Sequence, residues 1–374
     1  MLWKILKYFA TTIGLFIVVI PSSALLYRKY LQHKVAQRRA VTSPNGIDSL
    51  EAIRIGGIDQ WIQVRGQDVN NPVLLFIHGG PGITFIPMAS AFQDPWEKYF
   101  TVVQWDQRGA GKTYSSNHDE AFLRRTMTVP QMQQDTLEVA NYLRQRFKRE
   151  KIFVVGHSWG SVLGLWLAHE HPEMIYAYVG VGQLIDAQQN DQVAYQDALQ
   201  QAHAHANRQA IQDLESLAPY PPTSPDAQKG GVARFWEAKL LGPPAHGVEF
   251  TNIQRILTSL ISTPEYSLQD DLSFIHGQRF SLNQLIPQIS KINLKSLGED
   301  FRIPMFFFEG KFDPDCRPSL VLQYEQTIRA PQKAFVTFEN SGHFPFFEEP
   351  QKFTDELAHR VLPMATHVSD ANRL

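Results

Sequence analysis

Gly156-His157-Ser158-Trp159-Gly160 sets a serine between two glycines, after a β-branched and aromatic run (Ile152 to Val155) and before an apolar run of helical length. In a strand-turn-helix of this kind the serine sits on a tight, strained turn. The flanking glycines remove Cβ atoms that would collide as the turn closes. The hydroxyl then projects beyond the strand's C-terminal end as a nucleophile, and the Trp159 N–H, at the helix start, faces a developing oxyanion. Upstream, the apolar run Val73 to Ile77 leads into His78-Gly79-Gly80-Pro81-Gly82. Such a turn exposes backbone N–H groups, which makes Gly80, or else Gly79, the second oxyanion donor. A chance G-x-S-x-G and an ordinary βα turn are the bland alternatives, and the pairing of the two motifs argues against both.

A serine nucleophile needs a base, and the base needs an orienting carboxylate. Two late strand candidates end in suitable residues: Ile303 to Phe308 runs into Glu309-Gly-Lys-Phe-Asp313-Pro-Asp315, and Ala334 to Phe338 into Glu339-Asn-Ser-Gly-His343. His343 would take the Ser158 proton and return it to the leaving group. Asp313 would hold the imidazole tautomer and stabilise the imidazolium, with Asp315 as its understudy. The chain order Ser, Asp, His suits a sheet in which successive strand ends converge on one edge.

The elements that must position these groups follow a strand-turn-helix alternation. Leu50 to Ile55 and Gln60 to Val64 read as a hairpin across Gly56-Gly57-Ile58-Asp59, and Thr101 to Trp105 as a further strand. Thr128 is placed to N-cap a helix from Val129 to about Lys148. Strand Ile175 to Val181 follows the elbow. The result is a mostly parallel, doubly wound α/β sheet whose site lies beyond the C-terminal strand ends. Asp106-Gln-Arg-Gly-Ala-Gly-Lys112 matches no phosphate-loop pattern, and Asp106 and Arg108 are expected to brace neighbouring loops. From residue 183 to about 300 the chain turns helical, over Asp186 to Leu217, Val232 to Leu241 and Asn252 to Ile261, with irregular chain to about Lys295. This stretch is expected to be a lid over the sheet edge, dividing the core into residues 40–182 and 301–374. His203/His205 and His169/His171 are two apart, so on a helix they point to different faces and no metal site is expected.

Composition is that of a globular protein, 43% hydrophobic and 19% charged. The net charge of −2 gives no nucleic-acid signal, and the single cysteine excludes an intrachain disulfide or a multi-cysteine zinc site. Between Lys7 and Arg28, the 20 residues Tyr8 to Tyr27 carry no charge. That length suits a transmembrane helix, so residues 1–39 are expected to be a membrane anchor with a basic flank. The heavier positive charge after the run leans towards a cytoplasmic catalytic domain. A cleaved signal peptide, with Pro21-Ser-Ser-Ala24 near its cleavage site, is the alternative.

Taken together, His78-Gly-Gly-Pro-Gly82, Trp105-Asp-Gln-Arg-Gly109, Gly156-His-Ser-Trp-Gly160, Gly310-Lys-Phe-Asp313 and Ser341-Gly-His343 resemble the proline iminopeptidase branch of the α/β-hydrolases. The likeness spans roughly Leu50 to Val361. It implies an α/β-hydrolase fold with an inserted helical lid, and a cofactor-free and metal-free serine peptidase that removes N-terminal residues, especially proline, from small peptides. It also implies that a lid glutamate after a tryptophan binds the substrate's free amine. Trp236-Glu237 matches that pattern, and a surface helix glutamate is the alternative. The family's second acidic lid motif has only a faint counterpart in Pro264-Glu265-Tyr266, which puts proline specificity in question. An esterase, lactonase or amidase acting on small acyl substrates is the second expectation, and a non-catalytic binding protein the third.

Overall fold

The computed structural model describes residues 2–222, 226–243 and 253–365, with side chains described from residue 19 onward except at 227 and 253–256. Its centre is an 8-stranded sheet. The strands are β1 (Ile47–Ile55), β2 (Ile58–Gly66), β3 (Val73–Ile77), β4 (Thr101–Asp106), β5 (Ile152–His157), β6 (Ile175–Val181), β7 (Met305–Gly310) and β8 (Lys333–Phe338). They lie in the order β1-β2-β4-β3-β5-β6-β7-β8. The β1–β2 and β2–β4 pairs are antiparallel and the other pairs parallel. The β1–β2 turn is tighter than the sequence suggests: only Gly56 and Gly57 connect the strands, at φ +54° and +80°. Positive φ at both central residues gives the hairpin the twist its strands need.

The central strands β3, β4 and β5 are buried at every position, and β3 is apolar throughout, because both faces are covered. Val73, Leu75 and Ile77 pack into one core with Val154 and Met305. The alternate residues Leu74 and Phe76 pack into the other, with Phe153, Phe306 and the aromatic residues Phe85, Phe92, Trp96 and Phe346. Helices Val129–Arg146 and Trp159–Glu170 contribute to the first core. Thr128 does cap the former, its side chain accepting from the Gln131 N–H.

Between β6 and β7 the chain forms helices Ala187–Ala204, Arg208–Glu215, Ala227–Leu241, Ile253–Ser262 and Leu268–Ile289. The last corrects the expectation of irregular chain up to Lys295. Its start is fixed by a capping box, in which the Ser267 side chain accepts from the Asp270 N–H and the Asp270 carboxylate accepts from the Ser267 N–H.

The membrane anchor expected at Tyr8 to Tyr27 is overturned. No helix among the described residues is long and apolar enough to cross a membrane. The N-terminal helix Leu2–Arg38 carries Arg28, Lys29, Lys34 and Arg38 within its described part, while the side chains of residues 8–18 lie outside it. Two of the basic residues read as a membrane-flanking cluster instead bind the domain. Arg28 donates to Asp271 at 2.6 Å, and Arg39, just past the helix, to Asp94 at 2.8 Å. The membrane partner and the sidedness deduced from those charges go with the anchor.

Candidate active site

Ser158 occupies the junction of β5 and helix Trp159–Glu170 at φ +53°, ψ −121°. A non-glycine residue rarely adopts that backbone, and it persists only where the surroundings over-determine it. Here the Ser158 N–H is held by the Val181 carbonyl at 2.9 Å. The flanking glycines are required by the close approach of backbone. A Cβ at Gly156 would lie 2.6 Å from the Gly160 oxygen, and one at Gly160 would lie 2.0 Å from the Ile77 oxygen.

The 78–82 loop is built around a buried histidine. His78 lies 2.8 Å from the Gly79 carbonyl through Nδ1, and its Nε2 lies 3.2 Å from the Gln107 N–H. This fixes the proton on Nδ1, and burial keeps the ring neutral by lowering its pKa to about 4. With the Gly79 carbonyl turned towards His78, the Gly80 N–H across the same trans peptide points the opposite way. Gly79, Gly80, Ser158 and Trp159 all line one cavity of about 350 Å³. As the first residue of its helix, Trp159 has no intrahelical acceptor for its N–H. Gln107 ties the two donor segments together: it accepts from Trp159 Nε1 at 3.1 Å and donates to the His78 carbonyl at 2.8 Å. Of the neighbours expected to brace the site, Asp106 does so and Arg108 does not. Asp106 receives hydrogen bonds from Thr84 and Tyr266, whereas Arg108 pairs with Asp135 at 2.8 Å and binds the Gly56 carbonyl.

His343 lies on the same cavity, its Nδ1 2.8 Å from Asp313 Oδ2. Asp313 is fully buried, and its other oxygen accepts the N–H groups of Asp315 and Cys316 at 2.8 Å each. Asp315 turns its carboxylate to Arg234 at 3.1 Å, so Asp313 is the hydrogen-bonded partner of the ring. Burial disfavours a charged His343, but the Asp313 and Asp315 charges outweigh it and push the pKa up to about 9. No hydrogen bond joins Ser158 Oγ to His343 among the described residues; in ligand-free sites such bonds are commonly long.

Two further groups hold the backbone at His343 and its two neighbours, and the sequence reading missed both. Glu348 Oε2 accepts the N–H groups on either side of His343, Gly342 at 2.8 Å and Phe344 at 3.3 Å. His157 places Nε2 2.8 Å from the His343 carbonyl, a distance that makes it the donor, and burial and the neighbouring His343 hold its pKa well below the usual value.

The inserted helices supply the opposite wall. Leu282, Ile286 and Ile289 from Leu268–Ile289 and its C-cap Ser290 face the cavity, as do Asp191 and Arg234. Arg234 bridges Asp315 and Asp191, the latter at 3.4 Å. Glu237 is buried beside this cluster but is not among the cavity-lining residues, and its Oε1 has no hydrogen-bond partner among the described residues. Burial, with the charges of Asp191 and Asp315, raises its pKa to about 7 against the opposing Arg234. Trp236 is not brought to the cavity. It packs with Tyr195 and Leu214 in the core of the inserted helices and donates Nε1 to Asp213 at 3.0 Å. Glu265 also lies elsewhere, accepting from Gln63 at 2.6 Å and from Arg39 at 3.5 Å. Asp313, Asp315 and His343 bring ligand-type atoms within 4.8 Å of one another. A cation there would compete with the Asp313–His343 hydrogen bond and face the Arg234 guanidinium.

The family model described as alpha/beta hydrolase fold matches residues 72–350. The chain is 31% identical over 321 residues to a Bacillus subtilis (strain 168) protein named Probable aminopeptidase YbaC, covering 86% of this chain and 98% of that one. It is 23% identical over 313 residues to a proline iminopeptidase of Clostridioides difficile (strain 630), covering 80% of this chain and 94% of that protein. A crystal structure of proline iminopeptidase from Mycobacterium smegmatis shares the fold at TM-score 0.57 and 17% identity, over 86% of this chain and all (100%) of that one. Matched both over the sheet that carries the site and through relatives of nearly its own length, the chain belongs to the α/β-hydrolase fold family, in its proline iminopeptidase branch, and is a hydrolase.

Proposed function

We propose that the protein is a serine aminopeptidase that releases N-terminal residues of the proline type from small peptides. Ser158 Oγ attacks the carbonyl of the first peptide bond while His343 Nε2 takes the hydroxyl proton. Asp313 holds the ring through Nδ1 and stabilises the imidazolium. The N–H groups of Gly80 (or Gly79) and Trp159 receive the oxyanion. His343 then protonates the departing amine, leaving an acyl-enzyme on Ser158. Water, deprotonated by the same ring, releases the amino acid and restores the serine.

The observation that carries the peptidase reading is the acidic wall opposite Ser158. Asp191, Asp315 and the buried Glu237 are gathered around the guanidinium of Arg234, with Arg317 also near Glu237. Asp191 and Asp315 line the cavity half-exposed and Glu237 lies buried beside them; this excess of carboxylates suits a substrate ammonium, and Glu237, whose Oε1 has no partner among the described residues, is the proposed anchor for it. The inserted helices act as a lid that keeps this wall over the nucleophile. A second reading, an esterase, lactonase or amidase on small acyl groups, is favoured by Arg234 already occupying Asp191 and Asp315, and by the apolar residues Ile83, Leu184, Leu282 and Ile286.

Turnover of a prolyl arylamide, its N-acetylated analogue and a simple aryl ester separates the two. The peptidase reading expects the free-amine arylamide to be preferred, and the preference to weaken in Glu237→Gln. Equal turnover of the acetylated compound defeats it. A fluorophosphonate should label the protein at Ser158, and Ser158→Ala should lower turnover by on the order of 10⁶-fold. Labelling that survives this substitution sinks the serine assignment.

A further inference from the structure

The segment 263–271, which spans the connection after helix Ile253–Ser262 and the first turn of helix Leu268–Ile289, is gripped from two sides. On its outer side lies the N-terminal helix. Arg28 Nη2 donates to the Tyr266 carbonyl at 2.9 Å as well as to Asp271. Gln32 Nε2 donates to the Thr263 carbonyl at 2.8 Å and reaches that of Tyr266 at 3.3 Å. Arg28 and Gln32 are only 8% and 6% exposed, so these contacts are made largely out of water.

On the inner side the Tyr266 ring is buried and its hydroxyl donates to Asp106, at the end of β4. That hydroxyl also lies 3.1 Å from Thr84 Oγ1 and 3.2 Å from the Lys112 N–H. Thr84 in turn donates to the other oxygen of Asp106 and accepts from the Ile86 N–H at 3.3 Å. Thr84 stands two residues beyond Gly82, where the loop carrying the oxyanion donors is pressed against helix Leu268–Ile289. A Cβ on Gly82 would lie 2.7 Å from Ser281 Cβ and 2.9 Å from Gln278 Cα. A continuous set of short polar contacts therefore runs from the N-terminal helix, through one tyrosine, to the loop on which Gly79 and Gly80 sit.

We infer that Arg28 and Gln32 are positioning residues for the oxyanion loop, acting through Tyr266 and its bonds to Asp106 and Thr84. The N-terminal helix sets the height of the 263–271 segment by holding its carbonyls. The tyrosine carries that position inward, and Asp106 and Thr84 fix where the loop leaves β3. Loosening the outer grip lets the donors drift from the point where the oxyanion forms, which weakens transition-state stabilisation more than substrate binding. The inference rests on the proposed roles of Ser158 and the 78–82 loop.

The test uses the full chain and three variants: Tyr266→Phe, the double variant Arg28→Ala/Gln32→Ala, and their combination. kcat and KM are measured on the best of the three substrates above, with the rate of fluorophosphonate labelling and thermal unfolding alongside. Tyr266→Phe and the double variant should each lower kcat and the labelling rate by roughly 10–100-fold, with KM little changed. The combination should lose no more than Tyr266→Phe alone, because both act along one path. Arg54→Ala, at an exposed ion pair with Asp59 on the β1–β2 hairpin, should leave kcat unchanged. Losses that multiply, a change confined to KM, or a fall in thermal stability with kcat and labelling unaltered would each overturn the inference. A wild-type protein that neither labels nor turns over any substrate defeats the site assignment itself, whereas reactive wild type with indifferent variants defeats only the positioning role.

Discussion

His343 is pulled in opposite directions, by burial towards the neutral ring and by Asp313 and Asp315 towards the imidazolium, and the carboxylates prevail at about 9. Also beside it are Glu309 and Glu348, whose pKa values burial raises, and the neutral His157. Only a neutral ring can accept the serine proton, so the protonated form below that pKa is the inactive one. The pH profile of kcat/KM should therefore keep rising above the ordinary histidine range, by roughly tenfold per unit below the pKa. Asp315→Asn removes a charge that favours the imidazolium and should move this limb to lower pH; a limb that stays in place excludes Asp315 from the balance. Glu348 reaches the same ring by another route, since its carboxylate holds the N–H groups on both sides of it. Glu348→Ala should reduce kcat by about 10–100-fold with little effect on KM, read in steady-state assays. The sequence offered little to find Glu348 by. It is one of two adjacent glutamates five and six residues past the histidine; both face back, Glu349 accepting from the Asn340 N–H and the Ser341 hydroxyl, and only the turn at Pro345–Glu348 decides that Glu348 reaches the N–H groups beside the ring.

Among the elements, β3 packs into both cores beneath the proposed catalytic loops. Its alternate residues enter different cores, and Phe76 meets Phe85, Phe92, Trp96 and Phe346 at centroid distances of 5.4–6.0 Å. Phe346 follows His343 by three residues, so this aromatic layer is also the floor of the histidine loop. Phe76→Ala should destabilise the protein by about 3–5 kcal/mol in chemical denaturation, the usual cost of removing a buried phenylalanine. A much smaller loss would mean that the cavity collapses around the vacancy. The strands were legible because a sheet buried on both faces writes short, continuous apolar runs bounded by glycine and proline. Helix Leu268–Ile289 was not, since its apolar residues divide between cavity, core and solvent and leave no clean periodic stripe. Phe280 and Leu285 are buried in it while Leu272 and Ile275 are exposed. Its Ser267-x-x-Asp270 cap was the available signal.

For the molecule as a whole, a few buried charges join segments far apart in the chain. Arg108, fully buried, pairs with Asp135 and binds the Gly56 carbonyl and Thr126, fastening the β1–β2 hairpin to helix Val129–Arg146. Arg108→Met should cost about 3–5 kcal/mol, because it strands the Asp135 carboxylate in the interior. Equilibrium unfolding measures this, and a neutral result would show that water reaches Asp135. The N-terminal helix illustrates the same principle from outside. Its charges read as a membrane flank along the chain, yet in the fold Arg28 and Arg39 are paired with carboxylates of the domain. What the sequence determined alone was the sheet and the residues proposed to act at its edge: the elbow at Ser158, the glycine loop before it, and Asp313 and His343 after later strands. These are local patterns, in which strand, turn and functional residue lie within a few positions of one another. Only the tertiary structure decided which carboxylates surround the cavity beside Ser158, that Trp236 packs away from it, and what the basic residues near the N-terminus touch. A charged side chain's role depends on the partner it meets in space, and that partner stands up to 243 residues away, as Asp271 does from Arg28.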